Sequence, residues 1–368
     1  VSSQADPLLV APDPTVVQPS PLVVQYLYVH GQGEAFFYPT TRSATSVAEV
    51  AVRYLECAVV QAASLRFRDV DCGLALATNI TDRRALGRTA EELIECLEAL
   101  DVEILQTEYR HRPGDGSSTY VSSRYVLDAI LSAAEGQPPE RQLLLTDLDC
   151  VWVGAERVFA AVPQSPRVGC VHFEYPPDWD VVGFGEVGRT PAGIGQLSES
   201  FGGPAGPAAW VGGELLAGTP DALRELVAAC DEVDAQLAAR DQVLPTEEQV
   251  LTLVGALGKV GFDSLEQVAS RVHTGPRHEA VAIADPLALG LWHLPAEKGL
   301  SLRRTAHAIR RGRTREVRRD FAEPARMARR FNVLGTGLAR QVRDDSWIAR
   351  RRVSSKLRSR LRRPASHT

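Results

Sequence analysis

Methionine and lysine are nearly absent from this 368-residue chain: there is one Met, and only 3 of the 41 basic residues are Lys, so almost every positive charge is a guanidinium. With abundant Ala, Arg and Val, that bias points to a GC-rich bacterial genome. Also missing is any uninterrupted apolar run of the about 18 residues that a membrane-spanning helix needs. The N-terminal residues lack the charged-then-apolar layout of a secretory signal, so a soluble cytoplasmic protein is expected. The six cysteines, Cys57, Cys72, Cys96, Cys150, Cys170 and Cys230, stand singly in apolar runs. They have neither the close pairing of a zinc site nor the density of a disulfide framework, and read as reduced, mostly buried thiols. No internal repeat is evident.

What charge there is lies unevenly. Residues 303–368 carry 21 bases against 5 acids, a net +16, while residues 1–302 carry 20 bases and 41 acids, a net −21. Two differently built regions therefore share the chain. At 44% hydrophobic over its full length, the chain is large enough for one sizeable α/β domain or a domain with an appendage.

Residues 1–20 are rich in Pro, Ser and Val without periodicity and read as a disordered leader. Strand and helix patterns then alternate. Strands are expected at Val23–His30, Cys72–Thr78, Val102–Thr107 and Gln142–Thr146, and helices at Thr45–Leu65, Ala90–Leu100 and Ser122–Ala134. This rhythm predicts a mostly parallel sheet covered on both faces, with ligands bound beyond the carboxyl ends of its strands. A strand at Val168–Tyr175 follows, then a Gly- and Pro-rich loop over 176–207. Regular structure returns at Trp210–Ala217 and in helices opened by Thr219-Pro220-Asp221 and Thr246-Glu247-Glu248.

The chemistry centres on Leu143-Leu144-Leu145-Thr146-Asp147-Leu148-Asp149, an apolar strand that runs into two carboxylates. In an extended chain i and i+2 point the same way. Asp147 and Asp149 would then grip a hard divalent cation and leave positions open for phosphate oxygens and water. Such an ion would neutralise a departing diphosphate. The competing reading is a solvated acidic pair; the position at the tip of a buried strand favours the ion.

On these residues the chain resembles the nucleotide-diphospho-sugar glycosyltransferases of the GT-A class, and three later segments are similar in order to family 8 members. Trp210 to Gly218 looks like the segment whose small residues, here Gly212 and Gly213, approach the sugar. Thr246-Glu247-Glu248-Gln249 looks like the segment beside the reacting carbon, and Trp292 to Gly299 like the one that closes the site. The resemblance covers about residues 22–300. It implies a Rossmann-like, mostly parallel central sheet flanked by helices, with a nucleotide-sugar half over about 21–150 and an acceptor half over about 151–302; the charge and apolar spacing beyond it predict a basic helical extension over 303–368.

The resemblance also implies a Mn2+ or Mg2+ ion held by Asp147, Asp149 and His293. A UDP-sugar or GDP-sugar donor would be met by Asp147, Gly212, Gly213 and Lys298. Glu214, Glu248 and Gln249 would lie near the anomeric carbon. By the same analogy Thr78 and Asn79 would meet the base, and Arg124 and Asp128 would reach towards the nucleotide. The expected reaction is glycosyl transfer to an acceptor hydroxyl of a cell-envelope glycan or natural product, with retention; an inverting enzyme would use Glu214 or Glu248 as the base. Two departures stand out: Glu248 replaces the usual Asp, and Gly212 stands where Asn is expected.

Each of these residues also has a plainer reading. His293 could be a structural imidazole, Glu247 and Glu248 helix-capping acids, Thr78-Asn79 a turn, and Arg124 with Asp128 an i,i+4 ion pair. Arg271 to His278 suits an acceptor or phosphate contact. The Arg-rich end, with Phe321, Met327, Phe331, Trp347 and Leu357 among its apolar positions, suits an anionic membrane surface, a polyanionic acceptor, self-association, or packing on its own acidic domain; no nucleic-acid module accompanies it. Two alternatives complete the reading. A nucleotidyltransferase would need a basic phosphate loop, and His30-Gly31-Gln32-Gly33-Glu34 has no Lys or Arg. A catalytically inactive binding protein with a basic arm is the other.

Overall fold

A computed structural model describes residues 19–31, 46–113, 121–164, 166–182, 187–274 and 285–334. Most of the leader, and the Arg-rich end past Leu334 with Trp347 and Leu357, lie outside the described residues. The first half alternates as its sequence predicts: β1 (Leu22–Leu27), α1 (Val47–Arg66), β2 (Gly73–Thr78), α2 (Arg88–Ala99), β3 (Val102–Gln106), α3 (Tyr125–Ala134) and β4 (Leu143–Thr146). There follow β5 (Cys150–Trp152), α4 (Ala155–Ala161), β6 (Val168–Phe173), α5 (Pro191–Ser200), β7 (Trp210–Gly218), α6 (Pro220–Ala238), α7 (Glu247–Ala256), β8 (Phe262–Ser264), β9 (Ala269–Arg271) and β10 (Leu291–His293). Three helices end the described chain: α8 (Ser301–Arg310), α9 (Thr314–Phe321) and α10 (Pro324–Arg330).

The central sheet has the order β3-β2-β1-β4-β7-β6-β8. Pairing is parallel from β3 through β4, antiparallel on both sides of β7, and parallel between β6 and β8, so β7 alone is reversed. Side-chain alternation divides the core in two. Leu144 and Val23 face a cluster shared with α1, α2 and α8, while Leu143, Leu145 and Val24 face one shared with α3, α6 and α7. Both faces are covered, which is why β4 tolerates three consecutive leucines. The helix starts follow their caps: Thr219 accepts from the Ala222 N–H ahead of Pro220, and Thr246 with Gln249 forms a reciprocal capping box.

The segment expected to be an irregular loop over 176–207 contains α5, capped by Thr190 and Pro191. Its composition hides it, because Gly193 and Gly195 sit in the helix interior, where glycine costs about 1 kcal/mol relative to alanine. Gly195 is required by packing: a Cβ there would lie 1.8 Å from the Gly206 carbonyl oxygen. Gly195→Ala is accordingly expected to lower stability by about 2 kcal/mol, read from the urea midpoint at unchanged slope. A stability equal to that of the wild type would show that the 206–207 backbone yields freely.

The described part of the basic end packs on the acidic body. Leu302, Ile309, Val317, Phe321, Met327 and Phe331 belong to the same apolar cluster as α1. Buried Glu56 on α1 faces His307 Nε2 at 2.9 Å and Arg303 at 3.7 Å, and Glu92 on α2 faces Arg310 at 3.1 Å. No helix among the described residues is long and apolar enough to cross a membrane.

Candidate active site

β4 delivers Asp147 to the edge of a cavity, and its neighbours fix the geometry there. The Asp147 N–H donates to the Glu214 carbonyl on β7 at 3.1 Å, and the Cys150 N–H returns to the Asp147 carbonyl at 3.2 Å. Residues 147–150 therefore form a tight turn, and it is this turn, not the extended alternation expected from the sequence, that brings the two carboxylates together. β5 leaves the turn and pairs antiparallel with β10, with Cys150 opposite His293, while the Leu294 N–H donates to the Asp149 carbonyl at 2.9 Å. The imidazole is thus set beside the turn. Ligand atoms of Asp147, Asp149 and His293 all lie within 4.8 Å of one another.

The charges are tightly interlocked. His293 Nε2 is 3.1 Å from Asp149 Oδ2 and 3.4 Å from Asp147 Oδ2, and Lys298 Nζ is 3.2 Å from Asp149 Oδ2. Burial alone would push Asp149 up, but Lys298 and His293 prevail and hold it well below the usual carboxylate range. Asp147 goes the other way: burial raises it, and the charge of Asp149 adds to that against the pull of His293. The Tyr26 hydroxyl donates to Asp147 Oδ1 at 2.5 Å. Burial works against the His293 imidazolium, yet its carboxylate neighbours, Asp149 first, hold it up to about 10.

The residue before Lys298, Glu297, is a buried carboxylate that accepts from Thr274 Oγ1 at 2.5 Å, from Asn332 Nδ2 at 3.2 Å and from the Ser301 hydroxyl, which anchors the chain beside Lys298 Nζ, 3.2 Å from Asp149. The Lys298 ammonium also lies 4.8 Å from the centre of the Tyr54 ring.

A second group of acids adjoins the first. Glu248, in the first turn of α7, accepts from Trp210 Nε1 at 2.9 Å and from Arg271 at 2.9 Å, and the same Arg271 nitrogen lies 3.3 Å from Glu214 Oε2. Glu214 is buried behind His293, with its Oε1 3.5 Å from Nδ1, an electrostatic contact rather than a made hydrogen bond. Burial favours the neutral Glu214, but Arg271 and His293 together prevail and bring the carboxyl down to about 2. Glu247 is pushed up to about 8 by burial, then by the charge of Glu248. The glycines of β7 make room for these acids. A Cβ at Gly212 would lie 2.2 Å from a Glu214 oxygen, and one at Gly213 would lie 2.6 Å from a Glu247 oxygen.

The cavity, of about 500 Å3, is lined by Asp147, Asp149, His293 and Lys298, and by Glu247, Glu248 and Arg271 across from them. Eight sequence-predicted residues are not on its wall: Gly212, Gly213 and Glu214 lie on β7, with Glu214 backing His293, and the other five are engaged elsewhere. Thr78 is buried, and its carbonyl accepts from the Thr107 N–H at 2.9 Å. Asn79 clamps the Val29 backbone with both ends of its amide, at 2.7 and 2.9 Å. Arg124 pairs with Asp234, and Asp128 accepts from the Arg110 and His111 backbone and faces His111 Nδ1 at 2.7 Å. Gln249 spends its carbonyl on Thr246 and its amide nitrogen on Val187 and Gly188.

The sequence reading passed over Tyr26, Tyr28, Tyr54, Ser122 and Ser123, all on the cavity wall. A signal did exist for two of them: Tyr26 and Tyr28 alternate at the carboxyl end of the first predicted strand.

No protein-family model matches the chain, and no curated protein matches it. Solved structures do. The galactosyltransferase LgtC, in complex with donor and acceptor sugar analogs, is 13% identical and aligns over 74% of this chain and 86% of its own at a TM-score of 0.42. Mouse xyloside xylosyltransferase 1 is 11% identical over 74% of this chain and 96% of its own, at a TM-score of 0.41. The bifunctional glycosyltransferase WbbM is 12% identical over 76% of this chain and 46% of its own, at 0.43.

Proposed function

We propose that the protein is a divalent-cation-dependent glycosyltransferase that moves a sugar from a nucleoside-diphosphate sugar to an acceptor hydroxyl. The observation that carries this reading is the convergence of Asp147, Asp149 and His293 at the edge of a cavity that also presents Lys298. Two carboxylates and an imidazole suit Mn2+ or Mg2+ and leave coordination positions open on the cavity side. When bound, the ion would supply charge neutralisation for the leaving diphosphate. In this reading Lys298 turns from Asp149 to a phosphate oxygen, and Glu214 orients His293 from behind, as groups beyond a metal's ligands commonly do. Glu248, the carboxylate held on the cavity wall by Trp210 and Arg271, lies beside the anomeric carbon. The donor is a UDP-sugar, with a GDP-sugar as the alternative. The motif order favours retention, which the anomeric proton signal of the first-formed product checks by NMR.

A thermal-shift screen of UDP-, GDP- and dTDP-sugars, each with and without Mn2+, tests the donor assignment. A matching donor at a hundred times its Kd should stabilise the fold by about 2.7 kcal/mol, and only when the ion is present. If none of the three classes moves the melting temperature in Mn2+, the reading fails.

A further inference from the structure

Of the four tryptophans among the described residues, Trp152, Trp210 and Trp292 are wholly buried, whereas Trp179 is 45% exposed. Its exposure is not that of a slack loop. The Trp179 N–H donates to the Pro176 carbonyl at 2.9 Å, closing a turn, and the Ala192 N–H at the start of α5 donates to the Pro177 carbonyl at 3.0 Å. On the other side the Val181 N–H donates to the Arg189 carbonyl at 3.0 Å, and the Arg189 guanidinium pairs with Asp180. A large apolar ring is thus held out in water by a pinned backbone, where burying it would have gained the fold several kcal/mol at about 25 cal/mol per Å2. Two residues on, Val181 and Val182 line the cavity that holds Glu248 and Arg271.

Resting on the glycosyltransferase reading, we propose that Trp179 is the stacking platform for a sugar ring of the acceptor, so that the acceptor is itself a saccharide. A pyranose offers a flat face of C–H groups for an indole and a rim of hydroxyls for nearby polar groups. The surroundings match that pattern: Asp178 and Asp180 are its immediate neighbours in the chain and exposed, as are Pro176 and Pro177, and carboxylates and a guanidinium stand at the cavity. A lipid or apolar aglycone would call for a continuous apolar surface; here an exposed acid precedes and another follows Trp179 in the chain.

The test uses the full chain with Mn2+ and the nucleotide sugar that stabilises it. Trp179→Ala should raise the KM for an unsubstituted oligosaccharide acceptor roughly tenfold, while the KM for the donor, which reports an intact metal site, moves by less than twofold. Trp179→Phe, which keeps an aromatic face, should recover most of the loss. An acceptor KM that does not change in Trp179→Ala overturns the proposal, as does a rise seen only with aryl or alkyl glycosides. A second readout needs no turnover: an oligosaccharide should perturb the tryptophan emission of the wild type and much less that of Trp179→Phe. An emission change of equal size in Trp179→Phe would also overturn the proposal, whereas failure of every nucleotide sugar to bind would defeat the donor assignment and leave the emission test standing.

Discussion

Asp149→Asn should cost at least about a thousandfold in Mn2+-dependent turnover and should also destabilise the metal-free protein by about 3 kcal/mol, whereas Asp147→Asn should cost the activity alone. The activity loss follows from the several kcal/mol of charge stabilisation that a metal supplies in the transition state, at 1.36 kcal/mol per factor of ten. The stability difference follows from what each carboxylate does without the ion. Asp149 has a side chain only 1% exposed and faces both His293 and Lys298. Neutralising it takes the nearest counter-charge from two buried cations, and breaking a buried pair in this way costs about 3–5 kcal/mol.

Asp147 is 31% exposed at its side chain, and burial and Asp149 already disfavour its ionised form. An asparagine relieves that repulsion and still accepts from the Tyr26 hydroxyl. Urea unfolding in chelator separates the two variants, and product assays in Mn2+ join them. Equal destabilisation by both substitutions, or Mn2+-stimulated transfer by Asp149→Asn, would refute this account of the site.

How far the sequence discloses the site depends on which force places each residue. β4 was legible because its leucines are buried on both faces of the sheet, and the acids that follow could only emerge at its end. The partner that completes the cluster was harder to place from physical pattern alone. His293 arrives through β5, β9 and β10, strands of three residues each, too short to show a period, whose pairing is long-range. The misplaced candidates share one cause. Asn79, Asp128 and Gln249 are polar residues close to strand ends or helix starts, as ligand contacts are, but their side chains are consumed by backbone groups. Spacing cannot tell a clamp from a ligand contact, because both put a hydrogen-bonding group in the same stretch of chain. The basic end is the converse case. Its opposition to an acidic body was plain in the charge count, and Glu56 and Glu92 are where part of that opposition is satisfied.

Arg271→Gln is expected to destabilise the protein by about 4 kcal/mol at pH 7, and the deficit should shrink as the pH falls towards 3. One guanidinium nitrogen lies 2.9 Å from Glu248 and 3.3 Å from Glu214, so its removal takes the nearest cation from two carboxylates, one of them 2% exposed. The pH dependence follows from Glu214. Burial favours its neutral form and Arg271 opposes that, leaving the folded value at about 2, below the unfolded value near 4.5. A depressed carboxyl stabilises the wild type above the unfolded value, and that contribution is lost as the pH falls through 4.5 towards 2. In Arg271→Gln the largest charge opposing burial is gone and only the weaker pulls of His293 and the backbone remain, so the folded value moves up towards the unfolded one and acid costs the variant less than the wild type. The two stability curves must therefore converge on the acid side.

Arg271 also lies with its guanidinium carbon 4.7 Å from the centre of the Phe173 ring, so part of its worth could be packing. Packing carries no proton. A deficit that stays constant from pH 7 to pH 3 would assign Arg271 to that ring and remove it from the electrostatics of the site. Arg271→Lys, which keeps the charge on a compact, more strongly hydrated head, should fall between Arg271→Gln and the wild type and should retain the convergence.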